Sequence, residues 1–90
     1  MIYQRPAFVR ALKKLPAKEQ ELVRQRARQA ESVLGQPHLH SGIGLRPLGQ
    51  YLEFRTGLRL RCLFLIERGD IHLVTVGTHD EIAAYIRNNG

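Results

Sequence analysis

The chain has 90 residues, and its 14 lysines and arginines against 8 aspartates and glutamates give a net charge of +6. Eleven of the 14 cations are arginine, whose planar guanidinium matches a phosphate group in a way that the lysine ammonium does not. This length predicts one domain over residues 1–90, with a single modest core. The charge favours binding of a polyanion such as nucleic acid, although a basic surface can also be merely solvated.

Composition also excludes several classes of protein. Cys62 is the only cysteine, which excludes an intrachain disulfide and favours the reducing cytoplasm. The N-terminus lacks a secretory apolar segment, and no apolar run approaches the roughly 20 residues that span a bilayer, so we expect no membrane contact. Nothing in the sequence points to a metal or a small-molecule cofactor, and we expect neither.

Two amphipathic helices are predicted at the start of the chain. Residues 6–15 carry apolar side chains at helical spacing and begin with Pro6, which suits a first helical turn. Pro16 interrupts this pattern, and residues 17–34 resume it until Gly35 provides a natural stop. The break between the helices is short, which predicts an antiparallel pair.

Beyond Gly35 the apolar residues alternate, which is typical of strands. The first predicted strand, 43–48, is short and lies at an edge, because its proline argues against a central place. Three longer strands are predicted at 50–55, 58–66 and 71–76. Thr78 and Glu81 have the spacing of a capping box, which predicts a last helix from about Asp80 to Arg87. The sequence therefore predicts an α+β domain: an antiparallel pair of N-terminal helices packed on a three- to four-stranded antiparallel sheet, and a short C-terminal helix. The face of the sheet away from the helix pair is expected to be partly open.

The candidate site lies where the last strand meets the last helix. His79 is placed at this junction. A hairpin between the last two strands predicts that Arg59 lies opposite about residue 78 and shares a face with Arg61. Tyr85 follows about one and a half helical turns later. An imidazole can exchange a proton near neutral pH, and arginines can bind a phosphate.

These groups suit cleavage of RNA, whose 2′-hydroxyl serves as its own nucleophile. The enzyme supplies a base, an acid for the leaving 5′-oxygen and cations for the charge of the phosphorane, and no metal is required. His79, Arg59 and Tyr85 are therefore the candidate catalytic residues. The candidate RNA- and phosphate-binding residues are Arg55, Arg61, Arg46 and His40.

Each of these residues also has a structural explanation. His79 can be a surface residue beside a helix N-terminus, alternating arginines can form a solvated face, and Tyr85 can pack on the sheet. His38 and His40 form a pair with metal-like spacing, but no carboxylate or cysteine accompanies them, so loop histidines are favoured over a metal site.

The segments 54–61 and 74–81, which read FRTGLRLR and VTVGTHDE, together with Tyr85, resemble the RelE/ParE toxin superfamily of bacterial type II toxin–antitoxin systems. The resemblance extends over nearly the whole chain, because a helix pair followed by a meander is also the plan of that family. The Gly-Thr-His sequence is most similar to its YafQ-type branch. The resemblance implies a cytoplasmic, ribosome-dependent mRNA endoribonuclease that inhibits translation and is neutralised by a small antitoxin protein.

The resemblance also implies roles for individual residues. Arg59 occupies the position of the RelE-type strand arginine that contacts the phosphate, His79 that of the last-strand catalytic residue, and Tyr85 that of the terminal tyrosine. Arg55 stands where YafQ-type members carry a histidine, Arg59 also stands where they carry an acid, and His40 lies near a further histidine of that branch. No single branch's catalytic set is therefore complete. Two alternatives stay open: a ParE-like poison that binds DNA gyrase, and a non-catalytic basic nucleic-acid-binding domain.

Overall fold

The computed structural model describes residues 1–36 and 44–89. Its elements are, in chain order, β1 (Ile2–Gln4), α1 (Pro6–Lys13), α2 (Ala17–Val33), β2 (Arg46–Leu48), β3 (Tyr51–Thr56), β4 (Leu60–Glu67), β5 (Asp70–Gly77) and α3 (His79–Asn89). The strands form one sheet in the order β1-β5-β4-β3-β2. The predicted α+β class is confirmed, and so is the place of the proline-containing strand β2 at an edge.

The sheet has five strands rather than the predicted three to four, because a short strand precedes α1. This strand, β1, runs parallel to β5, with Ile2 opposite Ile71 and Gln4 opposite Leu73. The backbone N–H of Arg5 continues the pairing by donating to the Leu73 carbonyl over 3.0 Å. Long-range main-chain pairing therefore defines β1, and three residues are too few to show a side-chain period.

The main core lies between the two N-terminal helices and one face of the sheet. Phe8 of α1 and Val23 of α2 are fully buried there, in the same cluster as Phe54 and Phe64 of the sheet. The two sheet phenylalanines stack at a tilt, with ring centroids 5.6 Å apart. Burial of one such side chain contributes about 1.5–3 kcal/mol to stability, so this cluster fixes the sheet on the helices.

The other face of the sheet is partly covered by α3. Tyr51, Leu63 and Val74 of the sheet form a second buried cluster with Ile82 of the helix, and Tyr85 packs at its margin. The rings of Tyr51 and Tyr85 meet edge-on, 6.3 Å apart. The face that was expected to be partly open therefore has its own small core, which holds α3 against β4 and β5.

The turn before β4 differs from the prediction. Strand β4 begins at Leu60, because Thr56 pairs with Leu60 and leaves a three-residue loop between β3 and β4. Gly57 adopts φ 71° in this loop, a conformation that glycine reaches without strain. Leu58, the first residue of the predicted strand 58–66, instead lies at the tip of the loop and is fully exposed. Arg59 lies in the same loop and not in a strand.

The β4–β5 hairpin contains an irregularity that shifts its register. Glu67 pairs with Asp70 next to the turn, as predicted, but the pairing slips by one residue at Leu63 and Phe64. Beyond the slip Arg61 pairs with Gly77. An extra residue in one strand of a hairpin increases its twist and often re-aims the side chains that follow. As a result Arg61 lies opposite Gly77, two residues before His79, at the junction where α3 begins.

Helix α3 begins with the predicted capping box. The Thr78 N–H donates to Glu81 Oε1 over 2.8 Å, and the Glu81 N–H donates to Thr78 Oγ1 over 3.3 Å. The reciprocal pair satisfies backbone donors that the first helical turn leaves free. The helix starts at His79 and extends to Asn89, slightly longer than predicted. The cap therefore sets the position of the candidate catalytic histidine.

Candidate functional site

Two arginines share one buried carboxylate on the face of the sheet that carries α3. Glu53 of β3 is 1% exposed. Its Oε1 accepts a hydrogen bond of 2.6 Å from Arg46 Nε on β2 and one of 3.0 Å from Arg61 Nη1 on β4. The sheet register explains the grouping, because Glu53 lies directly opposite Arg46 and diagonally from Arg61. We call Arg46, Glu53 and Arg61 the arginine–glutamate cluster.

This cluster is chemically asymmetric. Its two guanidinium groups supply the opposite charge that a buried carboxylate requires, and both act on the same oxygen. The other oxygen, Glu53 Oε2, is buried and has no hydrogen-bond partner within residues 1–36 and 44–89. A buried acceptor without a donor costs about 1–3 kcal/mol. The two ion pairs with Arg46 and Arg61 must offset this cost.

His79 lies beside the arginine–glutamate cluster. It is exposed at the first position of α3. A cavity of about 260 Å³ is lined by both His79 and Glu53, with Leu48 of β2 and apolar residues of α3 as its walls and Arg87 at its edge. Along the sheet, Arg61 pairs with Gly77, which precedes His79 by two residues. Neither Arg46 nor Arg61 lines this cavity, so the grouping of His79 with these arginines stays a prediction.

Arg59 does not share a face with Arg61, contrary to the prediction. Its Nη2 donates to both carboxylate oxygens of Glu19 in the first turn of α2, over 2.7 and 3.0 Å. The reason is the three-residue loop, which takes Arg59 out of the alternation of β4 and leaves it beside the helix pair. Arg59 lines a second depression, a groove of about 470 Å³, whose other walls include Lys14, Glu81 and Tyr85.

Tyr85 belongs to this groove and not to the cavity that His79 lines. It is half-buried, with its ring against Tyr51, so it packs on the sheet as well as facing the groove. Helix α3 thus separates the predicted catalytic residues into two groups. His79 lines the cavity that contains Glu53, whose carboxylate binds Arg46 and Arg61, and Tyr85 lines the groove that contains Arg59.

The remaining predicted residues have different outcomes. Arg55 is exposed and pairs directly with Arg61 across β3 and β4, and its side chain passes over Gly44, where an added Cβ would lie 2.9 Å from Arg55 Cγ. His38 and His40 lie outside the described residues. Among the residues that are described, no cluster of His, Cys, Asp and Glu could hold a metal ion, and no helix is long and apolar enough to cross a membrane.

Glu53 is the site residue that the sequence did not single out. Its pattern was visible, because an acid alternates with Tyr51 and Arg55 on one face of a strand. An acid in that place most often faces solvent. Its burial depends on arginines from two neighbouring strands, whose registers cannot be read from the strand itself. The same holds for Glu19, which lies 40 residues from Arg59.

Solved structures share this fold. A chain of the RelB–RelE antitoxin–toxin complex from Methanococcus jannaschii superposes with a TM-score of 0.67 at 16% identity, over 92% of this chain and 96% of that one. YafQ from E. coli gives 0.64 at 12% identity, over 91% and 96%. A chain of the YoeB–YefM toxin–antitoxin complex from Staphylococcus aureus gives 0.62 at 15%, over 88% and 95%.

At these identities the similarity shows the fold alone. No protein-family model matches the chain, and no curated protein matches it in sequence. The fold expected from the resemblance is confirmed by the RelE, YafQ and YoeB structures, which this chain covers almost from end to end.

Proposed function

We propose that this chain is the toxin of a toxin–antitoxin pair and that it acts as a metal-independent endoribonuclease on mRNA at the ribosome, thereby inhibiting translation. The fold of named toxins supports the first part. The single observation that carries the second is that His79 lines the same cavity as Glu53, the residue that binds Arg46 and Arg61. Cleavage of a phosphodiester by its own 2′-hydroxyl requires a proton-exchanging group and cations, and Glu53 connects the cavity of His79 to two arginines.

In this reaction the 2′-oxygen forms a bond to phosphorus as the bond to the 5′-oxygen breaks. The products are a 2′,3′-cyclic phosphate and a free 5′-hydroxyl, and one proton passes from the 2′-hydroxyl to the leaving oxygen by way of the enzyme. His79 is exposed and can exchange this proton. Arg61 and Arg46 bind the non-bridging oxygens, where negative charge increases in the phosphorane.

The two candidate arginines of β4 and its preceding loop are expected to differ in importance. Arg61 is bound to Glu53, which lines the cavity of His79, whereas Arg59 is bound to Glu19 and lines the other groove. We therefore expect Arg61→Ala to reduce cleavage more than Arg59→Ala. Tyr85 shares the groove with Arg59, and in this proposal it contacts RNA beyond the scissile phosphate.

The partner proposed for this chain is a small antitoxin protein with an acidic segment. The net charge of +6 and the arginines exposed on the α3 face favour such a segment. A disordered acidic segment orders when it binds a basic surface, and its binding raises the apparent stability of the folded domain. A gene neighbour whose product is neither small nor acidic would count against this part of the proposal.

The test is induced expression of the intact chain in bacteria, with the 5′ ends of mRNA mapped in the wild type and in His79→Ala. His72→Ala is the matched control, because it removes an imidazole from the part of β5 that pairs with β1. His72 stacks there on Tyr3, with ring centroids 5.0 Å apart. We expect new cleavage sites in the wild type and the control, and none in His79→Ala. Equal melting temperatures of the purified variants exclude loss of folding.

Other outcomes would select the alternatives. Growth arrest with intact transcripts, unchanged by His79→Ala, would replace the nuclease with a poison that binds gyrase. No arrest in any variant would leave a basic nucleic-acid-binding domain without toxicity.

A further inference from the structure

We propose that Glu53 is a positioning residue, which holds Arg46 and Arg61 in the orientation that binds one RNA phosphate. This inference rests on the proposed function, because it assumes that the α3 face binds RNA. The inference goes beyond the proposed function because it assigns a role to an acidic residue in a site whose ligand is itself an anion. Electrostatics alone predicts that such an acid weakens binding, and positioning predicts the reverse.

The first argument is the division of hydrogen-bond donors. Arg46 uses its Nε for Glu53, and within residues 1–36 and 44–89 both of its terminal nitrogens have no hydrogen-bond partner; Arg61 uses Nη1. In the described part of the chain neither guanidinium donates to any further side chain. The Arg46 side chain is 50% exposed and that of Arg61 is 23% exposed. Each arginine is therefore fixed at one edge and open at another, which suits the planar guanidinium for phosphate binding.

The second argument is the use of a single carboxylate oxygen. Both arginines bind Oε1, so the two guanidiniums converge on one point and must lie close to each other. Like charges repel at this distance in the absence of the carboxylate. Glu53 thus brings together two cations that would otherwise separate, and a phosphate can then bind both at once. A side chain that is already held loses less conformational freedom when the ligand binds.

The third argument is burial. Glu53 is 1% exposed and its Oε2 has no partner among the described residues. A carboxylate placed so deeply cannot follow the arginines into solvent or compete with the phosphate for the outer face of the site. Its effect on RNA is therefore exerted through Arg46 and Arg61 and not by contact.

The experiment measures binding of the full-length chain to a short single-stranded RNA, by fluorescence anisotropy over a series of salt concentrations. Glu53→Gln removes the negative charge but keeps the shape of the side chain. The matched control is Glu21→Gln, because Glu21 on α2 also lies between two arginines, 3.6 Å from Arg24 and 3.7 Å from Arg28, but is solvent-exposed. Both substitutions raise the net charge by the same amount.

We expect Glu53→Gln to weaken RNA binding by about tenfold, the equivalent of one charge-assisted hydrogen bond. We expect Glu21→Gln to leave binding unchanged or slightly tighter. The dependence on salt should also change, because each phosphate contact contributes about 0.7 to the slope of log K against log salt for single strands. A decrease of that slope in Glu53→Gln alone is a result that a merely structural role would not produce.

A second variant guards against misfolding of Glu53→Gln. Arg46→Lys keeps the charge, and residue 46 lies on an exposed edge strand. A lysine ammonium is a single point charge, so once it is bound to Glu53 it lacks the separate guanidinium nitrogens that would bind a phosphate. We expect Arg46→Lys to weaken binding as Glu53→Gln does, whereas Arg68→Lys in the exposed β4–β5 turn has no effect.

Two results would overturn the inference in distinguishable ways. If wild type binds RNA and Glu53→Gln binds it equally or more tightly with an unchanged salt slope, the positioning role is refuted and the proposed function stands. If wild type does not bind free RNA at all, the positioning role of Glu53 is refuted as stated, whereas the proposed function is decided by the mapping of mRNA 5′ ends in wild type and His79→Ala.

Discussion

The capping box at Thr78 and Glu81 is the contact whose removal gives the most direct check on how α3 is held. Thr78→Ala deletes the Oγ1 that accepts the Glu81 N–H over 3.3 Å and leaves the shorter bond, 2.8 Å from the Thr78 N–H to Glu81 Oε1, in place. Loss of such a cap costs about 1 kcal/mol. In a domain of this size that corresponds to a decrease of about 4–8 °C in the melting temperature.

The shorter bond can be examined separately by pH. The pKa of Glu81 is lowered from its usual 4.5, first by the backbone N–H of Thr78 and then by the Thr78 side chain, with Arg59 and Lys14 adding attraction. A carboxyl whose folded pKa is lowered adds stability above its unfolded pKa, and this stability is lost as the pH falls through the folded pKa. Because Glu81 is mostly exposed, solvent screening keeps the gain to a fraction of 1 kcal/mol.

Thermal unfolding followed by circular dichroism tests both statements with Thr78→Ala, Glu81→Gln and wild type. At neutral pH both variants should melt below wild type. At a pH well below 4.5 the gap between wild type and Glu81→Gln should close, since the carboxyl is then protonated in the folded protein as well. The gap for Thr78→Ala should narrow less. A Glu81→Gln gap that persists unchanged in acid would refute the assignment of this stability to the charge of Glu81.

Three further outcomes are expected from the same structure. Gly77→Ala should destabilise the fold by about 1–3 kcal/mol in denaturant titrations, since an added Cβ would lie 2.9 Å from Glu81 Oε1 and 3.0 Å from Glu81 Cβ; wild-type stability would contradict the close approach of α3. Cys62 should react with a thiol reagent only as fast as the domain unfolds, because burial raises the pKa of its thiol well above 9.0; rapid labelling of folded protein would count against this. Leu58→Ser should change the unfolding free energy by no more than about 0.5 kcal/mol, because Leu58 is fully exposed. A larger loss would mean that the Leu58 side chain is packed in the core.

The parts of the fold that were predictable are those whose signal is local. The helices α1 and α2 carry their own apolar spacing and proline boundaries, and the capping box marks the start of α3 within four residues. Tyr51 and Glu53 alternate with Leu52 and Phe54 along β3, and this local pattern agrees with the two clusters to which the apolar members belong on opposite faces of the sheet. Each of these features depends on neighbours in the sequence, so one segment is enough to show it.

The parts that were missed depend on distant residues. Strand β1 exists through its pairing with β5, some 70 residues away. The bond between Arg59 and Glu19 requires both the length of the β3–β4 loop and the position of α2. The one-residue slip in the β4–β5 hairpin cannot be recognised from the amino-acid composition of the two strands. For the candidate site the residue types were predictable, but their division by α3 was not, because it depends on how the helix crosses the sheet.

The two arginine centres also differ in how an RNA phosphate could reach them. Arg59 and Glu19 form an ion pair in which the arginine side chain is 56% exposed, and exposed pairs contribute only about 0–1 kcal/mol. A phosphate can therefore replace Glu19 at small cost, after which Arg59 is free to turn towards the ligand. The arginines on Glu53 are in the opposite situation. Separating them from a buried carboxylate would leave an unpaired charge inside the protein, so in the proposed function they bind a phosphate without leaving Glu53. It follows that the Arg59 centre can adapt to its ligand, whereas the arginine–glutamate cluster can only accept a phosphate that fits the orientation it already has.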